Sequence, residues 1–286
     1  MRFDPNHQSR DVEDRRGQGG GPTVNANAIG LILSLLLRTK YGWVIIVLGV
    51  VAWVGGQKLG YISGPLAPPG PTGALAPNDT DAHFSAFVLD DTQAFWETEF
   101  RRQSKRYPHA TLVLFTDQTS TGCGYGDAAT GPFYCPNDQK VYIDLGFFQI
   151  MSTQLGANGQ FARAYVIAHE IGHHVQTLLG VSASSARGGA KGETGGSVRL
   201  ELQADCYAGI LARSADARGL LERGDIDSAL NAAARIGDDV LQREAGRRVR
   251  PEKFTHGTAV QRLRWLKRGY ESGAMNDCDT FGAATL

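Results

Sequence analysis

The pentapeptide His169-Glu170-Ile171-Gly172-His173 constrains this chain more than any other feature of it. Residues i and i+4 share one face of a helix, so two imidazoles at this spacing can reach a single ion. Glu170 is rotated by about 100° from His169, which lets it contact a water at that ion without binding the ion itself. The chemistry requires a helix, and the flanking residues supply one. Phe161, Tyr165, Ile167, Ala168, Ile171, Val175 and Leu178 recur at threes and fours through residues 159–179, and Gly180 ends the run.

Two imidazoles do not complete a catalytic zinc site, which takes three protein ligands and leaves a position for water. His174 points about 100° away from the shared face and is a poor third ligand. No histidine stands six residues after His173 to supply a third imidazole. Glu201, on the next expected helix, is the candidate. Asp205, one turn later on the same face, suits the role of accepting an imidazole N–H and so fixing the ring's tautomer. The reverse assignment, Asp205 as ligand with Glu201 in support, stays open, as does a solvated Glu201. One zinc ion per chain is expected.

Composition narrows the rest. The chain has 286 residues with 29 basic and 29 acidic side chains, so no nucleic-acid partner is expected. Residues 1–27 are polar, charged and Gly-rich and read as a disordered cytoplasmic tail. Residues 28–62 read as a membrane-anchor region. Within it Tyr41–Gly56 carries no charge, and a span over about 41–62 is expected, with Trp43, Trp53 and Tyr61 near its ends. Lys and Arg residues precede the span, which puts the N-terminus in the cytoplasm and the C-terminal domain in the periplasm or outside the cell. Residues 63–77 form a Pro/Gly linker, and 78–286 form the domain that carries the chemistry. All four cysteines, Cys123, Cys135, Cys206 and Cys278, fall in that domain, as suits an oxidising compartment. Four cysteines allow three pairings. Locality favours Cys123 with Cys135, which leaves Cys206 for Cys278.

Periodicity predicts helices over 84–107, 147–155, 159–179, 198–214, 226–242 and 258–272. Strands are expected at Thr111–Phe115 and Lys140–Asp144, with a Gly/Cys loop at 119–137. The fold class is α+β, mostly helical with a small sheet, behind one transmembrane helix.

Several motifs in order carry a resemblance. His169-Glu-Ile-Gly-His-His-Val-Gln is followed by Glu201-Leu-Gln-Ala-Asp205-Cys206-Tyr-Ala-Gly and by Phe254-Thr-His256-Gly-Thr. With Val12-Glu-Asp-Arg-Arg16, Gly131-Pro-Phe-Tyr-Cys-Pro136, Lys140-Val-Tyr-Ile-Asp144 and Cys278-Asp-Thr-Phe281, these resemble the bacterial neutral zinc metallopeptidases of the YpfJ type over nearly the whole chain. The Glu-x-x-x-Asp pair also resembles that of gluzincins such as thermolysin. The resemblance implies a membrane-anchored, periplasm-facing zincin-like domain. It implies Glu201 as third ligand, Asp205 as support for a ligand histidine, and His256 as a stabiliser of the oxyanion. By its own context His256 reads equally well as a capping or core residue. Tyr165 and Tyr207 are candidate phenol donors, and neither is favoured over the other.

The expected function is hydrolysis of peptide bonds in a peptide or protein substrate, with Glu170 as general base beside zinc held by His169, His173 and Glu201. The rival readings are a membrane-tethered binding module with a structural zinc and a non-proteolytic zinc hydrolase. A structural site is normally closed by four Cys/His ligands, and in it Glu170 has no task.

Overall fold

A computed structural model describes residues 1–17, 75–181 and 191–286. The expected span at 41–62, the rest of the anchor region at 28–62 and most of the linker lie outside the described residues. Among the described residues no helix is long and apolar enough to cross a membrane.

A small sheet gathers segments far apart in the chain. Its strands are β1 (Val12–Asp14), β2 (Thr111–Phe115), β5 (Phe133–Cys135) and β6 (Lys140–Asp144), in the spatial order β1-β2-β6-β5. β1 and β6 both run parallel to β2, and β5 runs antiparallel to β6. Alternation along β2 and β6 sends Leu112, Leu114, Val141 and Ile143 into the main core. It sends Val113, Phe115 and Tyr142 to a second cluster with Cys135, against which Phe133 packs. Burial on both faces explains why Thr111–Phe115 reads as a nearly continuous apolar run. β3 (Gln118–Thr121) and β4 (Gly124–Asp127) form an antiparallel hairpin, tied to β5 by the Cys123–Cys135 disulfide. The expected loop at 119–137 therefore contains three short strands. β3 and β4 are built from polar residues and glycine and β5 is only three residues long, and a hairpin plus a disulfide holds them where an extended apolar pattern does not.

Seven α-helices stand among the described residues: α1 (Thr80–Arg102), α2 (Gly146–Thr153), α3 (Gln160–Leu179), α4 (Gly196–Ala217), α5 (Asp225–Arg235), α6 (Asp238–Glu244) and α7 (Ala259–Ser272). α7 starts with a full capping box between Thr258 and Gln261. The helix expected over 226–242 is two helices. The break falls at Ile236-Gly237, because the carboxylate of Asp238 accepts backbone N–H groups from the loop at 255–257 and turns the chain there. α4 and α7 touch backbone to backbone. A Cβ on Gly269 would overlap the carbonyl of Cys206, and one on Gly209 would overlap the carbonyl of Leu266. The Cys206–Cys278 disulfide fastens α4 to the short turn Met275–Cys278 that follows α7, so both cysteine pairings expected from locality are formed.

The N-terminal segment corrects a further expectation. Residues 1–17 are part of the folded body, where a disordered tail was expected. Val12 is buried, and β1 pairs with β2 in the register Val12↔Leu112, Glu13↔Val113, Asp14↔Leu114. The strand is polar in sequence because its carboxylates are neutralised by Arg15 and Arg16, two residues on, and by the distant Lys140. Lys140 donates to Glu13 at 2.7 Å, and Arg16 bridges Asp14 and Asp79 at 2.5 Å each. Upstream, Ser9 and His7 bond the carboxylate of Asp90. Both flanks of residues 18–74 thus belong to one sheet and one core.

This placement predicts a specific cross-link. Ser9 Oγ lies 2.6 Å from Asp90 Oδ1, so in the Ser9→Cys/Asp90→Cys chain, expressed full-length and treated with a mild oxidant in intact cells, a disulfide should form within one chain. It would be read as a mobility shift on a non-reducing gel. No cross-link under conditions that oxidise Cys206–Cys278 would place the N-terminal segment elsewhere.

Candidate metal centre

α3 carries both histidines of the pentapeptide, and α4 crosses it at Gly172. A Cβ on Gly172 would lie 3.1 Å from Cα of Ala204 and 3.2 Å from its Cβ. The absence of a side chain there lets the helices approach closely and brings Glu201 over the two rings. His169 Nε2 lies 3.2 Å from Glu201 Oε2, and His173 Nε2 lies 3.5 Å from Glu201 Oε1. His169, His173 and Glu201 each offer one ligand atom, all within 4.8 Å of one another.

The other ring nitrogens explain why these atoms converge. His169 Nδ1 donates to Asp205 Oδ1 at 2.9 Å, and His173 Nδ1 donates to Gln176 Oε1 at 2.8 Å. With both Nδ1 atoms committed as donors, each neutral ring turns the lone pair of Nε2 toward a carboxylate. Three lone-pair donors facing one another repel unless a proton or a cation lies between them. The titration behaviour carries the same message. Burial lowers the pKa of His169, but the charge and hydrogen bond of Asp205 outweigh it and bring it to about 10. His173 is raised by Glu201 against the same burial. Burial also works against the charged form of Glu201, yet His173 and His169 hold its carboxyl well below the usual range. Two imidazoles and one carboxylate at a site open on one side form a donor set that suits zinc.

Asp205 lies behind the rings with no exposure. It also accepts from Tyr165 Oη at 2.5 Å and from Nε and Nη2 of Arg262, both at 2.9 Å. Arg262 is itself buried and reaches Asp205 only because α4 and α7 touch. Gln176 continues the support on the other side. Its amide donates to the carbonyl of Leu200 at 2.7 Å and to Gln203 at 3.1 Å, and Gln203 donates to the carbonyl of Cys278.

The remaining expected residues fall as follows. Glu170 is buried on the floor of the same cleft and is not one of the three converging residues. His256 lines the cleft with its side chain half exposed. Asp238 accepts the backbone N–H groups of Thr255, His256 and Gly257 at 2.8, 2.7 and 3.0 Å, which pins the loop. The hydrogen bond from the His256 ring to Asp238 raises the pKa of that imidazole against the effect of burial. His174 points away from the site and donates through Nε2 to the carbonyl of Pro108, and its Nδ1 accepts from Tyr134 Oη at 3.0 Å. Tyr207 is buried against Trp96, and Tyr165 is spent on Asp205, so neither phenol is directed at the floor as a donor. Tyr134 lines the cleft together with Tyr165. Gln176 and Tyr134 fall within the stretches 169–176 and 131–136 that carry the resemblance, but the sequence assigns them no role, and Asp238 lies in none; Gln176, three residues after a ligand candidate, had a local cue.

The chain belongs to the family described as "Putative neutral zinc metallopeptidase", whose family model matches residues 1–281. It is 43% identical to the uncharacterized protein YpfJ of Escherichia coli strain K12 over 99% of both chains. It is 48% identical to the uncharacterized protein Mb2605 of Mycobacterium bovis over 63% of this chain and 65% of that one. The uncharacterized protein Rv2575 of Mycobacterium tuberculosis strain H37Rv matches to the same extent. No solved structure matches the chain.

The geometry separates two neighbouring histidine-related substitutions. Gln176→Leu removes the acceptor of His173 Nδ1 and should weaken zinc binding by about 10–100-fold. His174→Ala should leave zinc binding unchanged and cost about 1–3 kcal/mol of stability, because the carbonyl of Pro108 loses its partner. Competition with a chelator of known affinity, together with thermal melts, reads both. Equal zinc affinity in wild type and Gln176→Leu would contradict the assignment.

Proposed function

We propose that the chain is a zinc-dependent endopeptidase with a gluzincin-like zincin domain, using His169, His173 and Glu201 as ligands. The observation that carries this reading is the convergence of their three ligand atoms on the floor of an open cleft, with Glu170 beside them and outside the set. A purely structural zinc would be closed by four ligands and would have no use for a neighbouring carboxylate in a cleft. β5 is the terminal strand of its sheet among the described residues, and Phe133 and Tyr134 from it line the same cleft, which adds support for an extended substrate.

Zinc held by these residues would supply Lewis acidity and would lower the pKa of a water to about 7. Glu170 accepts the proton of the attacking water as its oxygen bonds to the scissile carbonyl carbon. When the C–N bond breaks, Glu170 returns that proton to the leaving amine. His256, held by its bond to Asp238, donates to the carbonyl oxygen as negative charge develops there. Asp205 and Gln176 act only through the histidines, holding each ring in the tautomer that turns Nε2 inward.

The two disulfides support a place in an oxidising compartment. We place the folded body, N-terminal strand included, on the periplasmic side of the inner membrane, with the apolar region at 28–62 as its attachment.

Glu170→Gln tests the reading. The amide keeps the size of the side chain but accepts no proton. Zinc content should stay near one per chain while cleavage of an unfolded protein falls by about 10²–10⁴-fold. Asp238→Asn should retain zinc and lose roughly 10-fold or more in turnover by loosening His256. Wild-type rates in Glu170→Gln would remove the hydrolytic assignment.

A further inference from the structure

The cleft above the candidate metal centre has a volume of about 560 Å³, within the usual range for a site that encloses a ligand. Its chemistry is divided. The carboxylates, imidazoles and guanidinium that line it are Glu170, Glu201, His169, His173, His256 and Arg262, all at the floor or behind it. The walls carry none of these groups. Beside Val166, one helical turn before Glu170, the wall is built from Phe147, Ile150, Leu155, Ile236 and Leu241.

Three different elements converge on this apolar box. Phe147 and Ile150 come from α2, with Leu155 just beyond it. Val166 comes from α3. Ile236 and Leu241 come from the break between α5 and α6 and from α6 itself. Two of these residues are left open to solvent: Ile150 and Leu241 are each 38% exposed. Among the described residues the large exposed hydrophobic side chains are Tyr125, Ile150, Leu241 and Val260, so two of the four stand at the rim of one cleft. Exposed apolar side chains gathered around a concave site mark a surface that a ligand covers.

We infer that this box binds a large uncharged apolar side chain of the substrate, next to the scissile bond, and excludes charged ones. A Phe, Leu or Met side chain entering it would cover Ile150 and Leu241 and leave water. A Lys, Asp or Glu side chain would lose its hydration there and meet no counter-ion on the walls. The occupant is therefore a peptide with an apolar residue at that position, and Ile150 and Leu241 determine the specificity. The inference rests on the hydrolytic reading for the term "scissile bond", but the box is also testable through binding alone.

The experiment uses the full chain with one zinc and a set of nonapeptides that differ only in the central residue: Phe, Leu, Ala, Lys or Asp. Cleavage is followed by mass spectrometry, and binding of the same peptides to the same protein is followed by fluorescence anisotropy. Wild type should cleave the Phe and Leu peptides about 10–100-fold faster in kcat/KM than the Ala peptide, and the Lys and Asp peptides more slowly still. Ile150→Asp and Leu241→Asp change rim positions that already tolerate water, so zinc content and Tm should hold. Each should lose at least 10-fold on the Phe peptide and gain on the Lys peptide. Cleavage without an apolar preference, or a preference unaltered in both variants, would overturn the inference. If no peptide is cleaved, binding decides. Tighter binding of the Phe than the Asp peptide, lost in Ile150→Asp, supports the box and removes only the hydrolytic reading. Absence of binding as well as cleavage overturns both.

Discussion

The carboxylate of Asp205 is fully buried and accepts from three side chains on two neighbouring helices: His169 and Tyr165 on α3, and Arg262 on α7. An unpaired charge at this depth would cost several kcal/mol, and removal of one partner from such a pair typically costs about 3–5 kcal/mol. The group is therefore tolerated only while α3, α4 and α7 sit in one arrangement. That arrangement also turns His169 Nε2 toward Glu201. Gly172 against Ala204, and Gly209 and Gly269 between α4 and α7, allow the approach that makes it possible. The metal-binding geometry thus depends on a buried ionic cluster and on missing Cβ atoms at two helix crossings.

The site was more legible in the sequence than the fold around it. His169 and His173 sit four apart on a helix whose limits, Gln160–Leu179, the apolar periodicity gives almost to the residue. Glu201 and Asp205 lie on the following helix at one-turn spacing, and the structure brings Glu201 to the rings and Asp205 behind them. β2 and β6 were visible because burial on both faces leaves an apolar run. β1 was not visible, because the ties of its charged segment to the rest of the fold, Lys140 to Glu13 and Asp79 to Arg16, come from residues far along the chain that local pattern does not reveal. Asp238 was invisible for the same reason: its work is to hold a loop that begins 17 residues later.

The N-terminal strand changes how the whole chain is understood. A composition-based reading separates a polar tail, an apolar stretch and a catalytic domain. The structure joins the first and the last in one sheet, through backbone pairing and through charges shared between Glu13 and Lys140. Residues on both sides of the apolar stretch therefore fold together. The second face of the sheet, where Tyr142 stacks on Phe133 at 5.0 Å, leads directly to the cleft wall. Arg15 stands over the Tyr142 ring at 5.8 Å, so the N-terminal segment packs against the same layer that shapes the cleft.

The central claim is that one zinc ion is held by two imidazoles and one carboxylate on the floor of that cleft. X-ray absorption at the zinc edge of the zinc-loaded full chain tests it most directly. The account predicts a shell of nitrogen and oxygen scatterers at about 2.0–2.2 Å with the outer-shell signature of two imidazole rings, and a signature of one ring in His173→Ala. A sulfur scatterer near about 2.3 Å, or a shell that keeps two rings in His173→Ala, would contradict it.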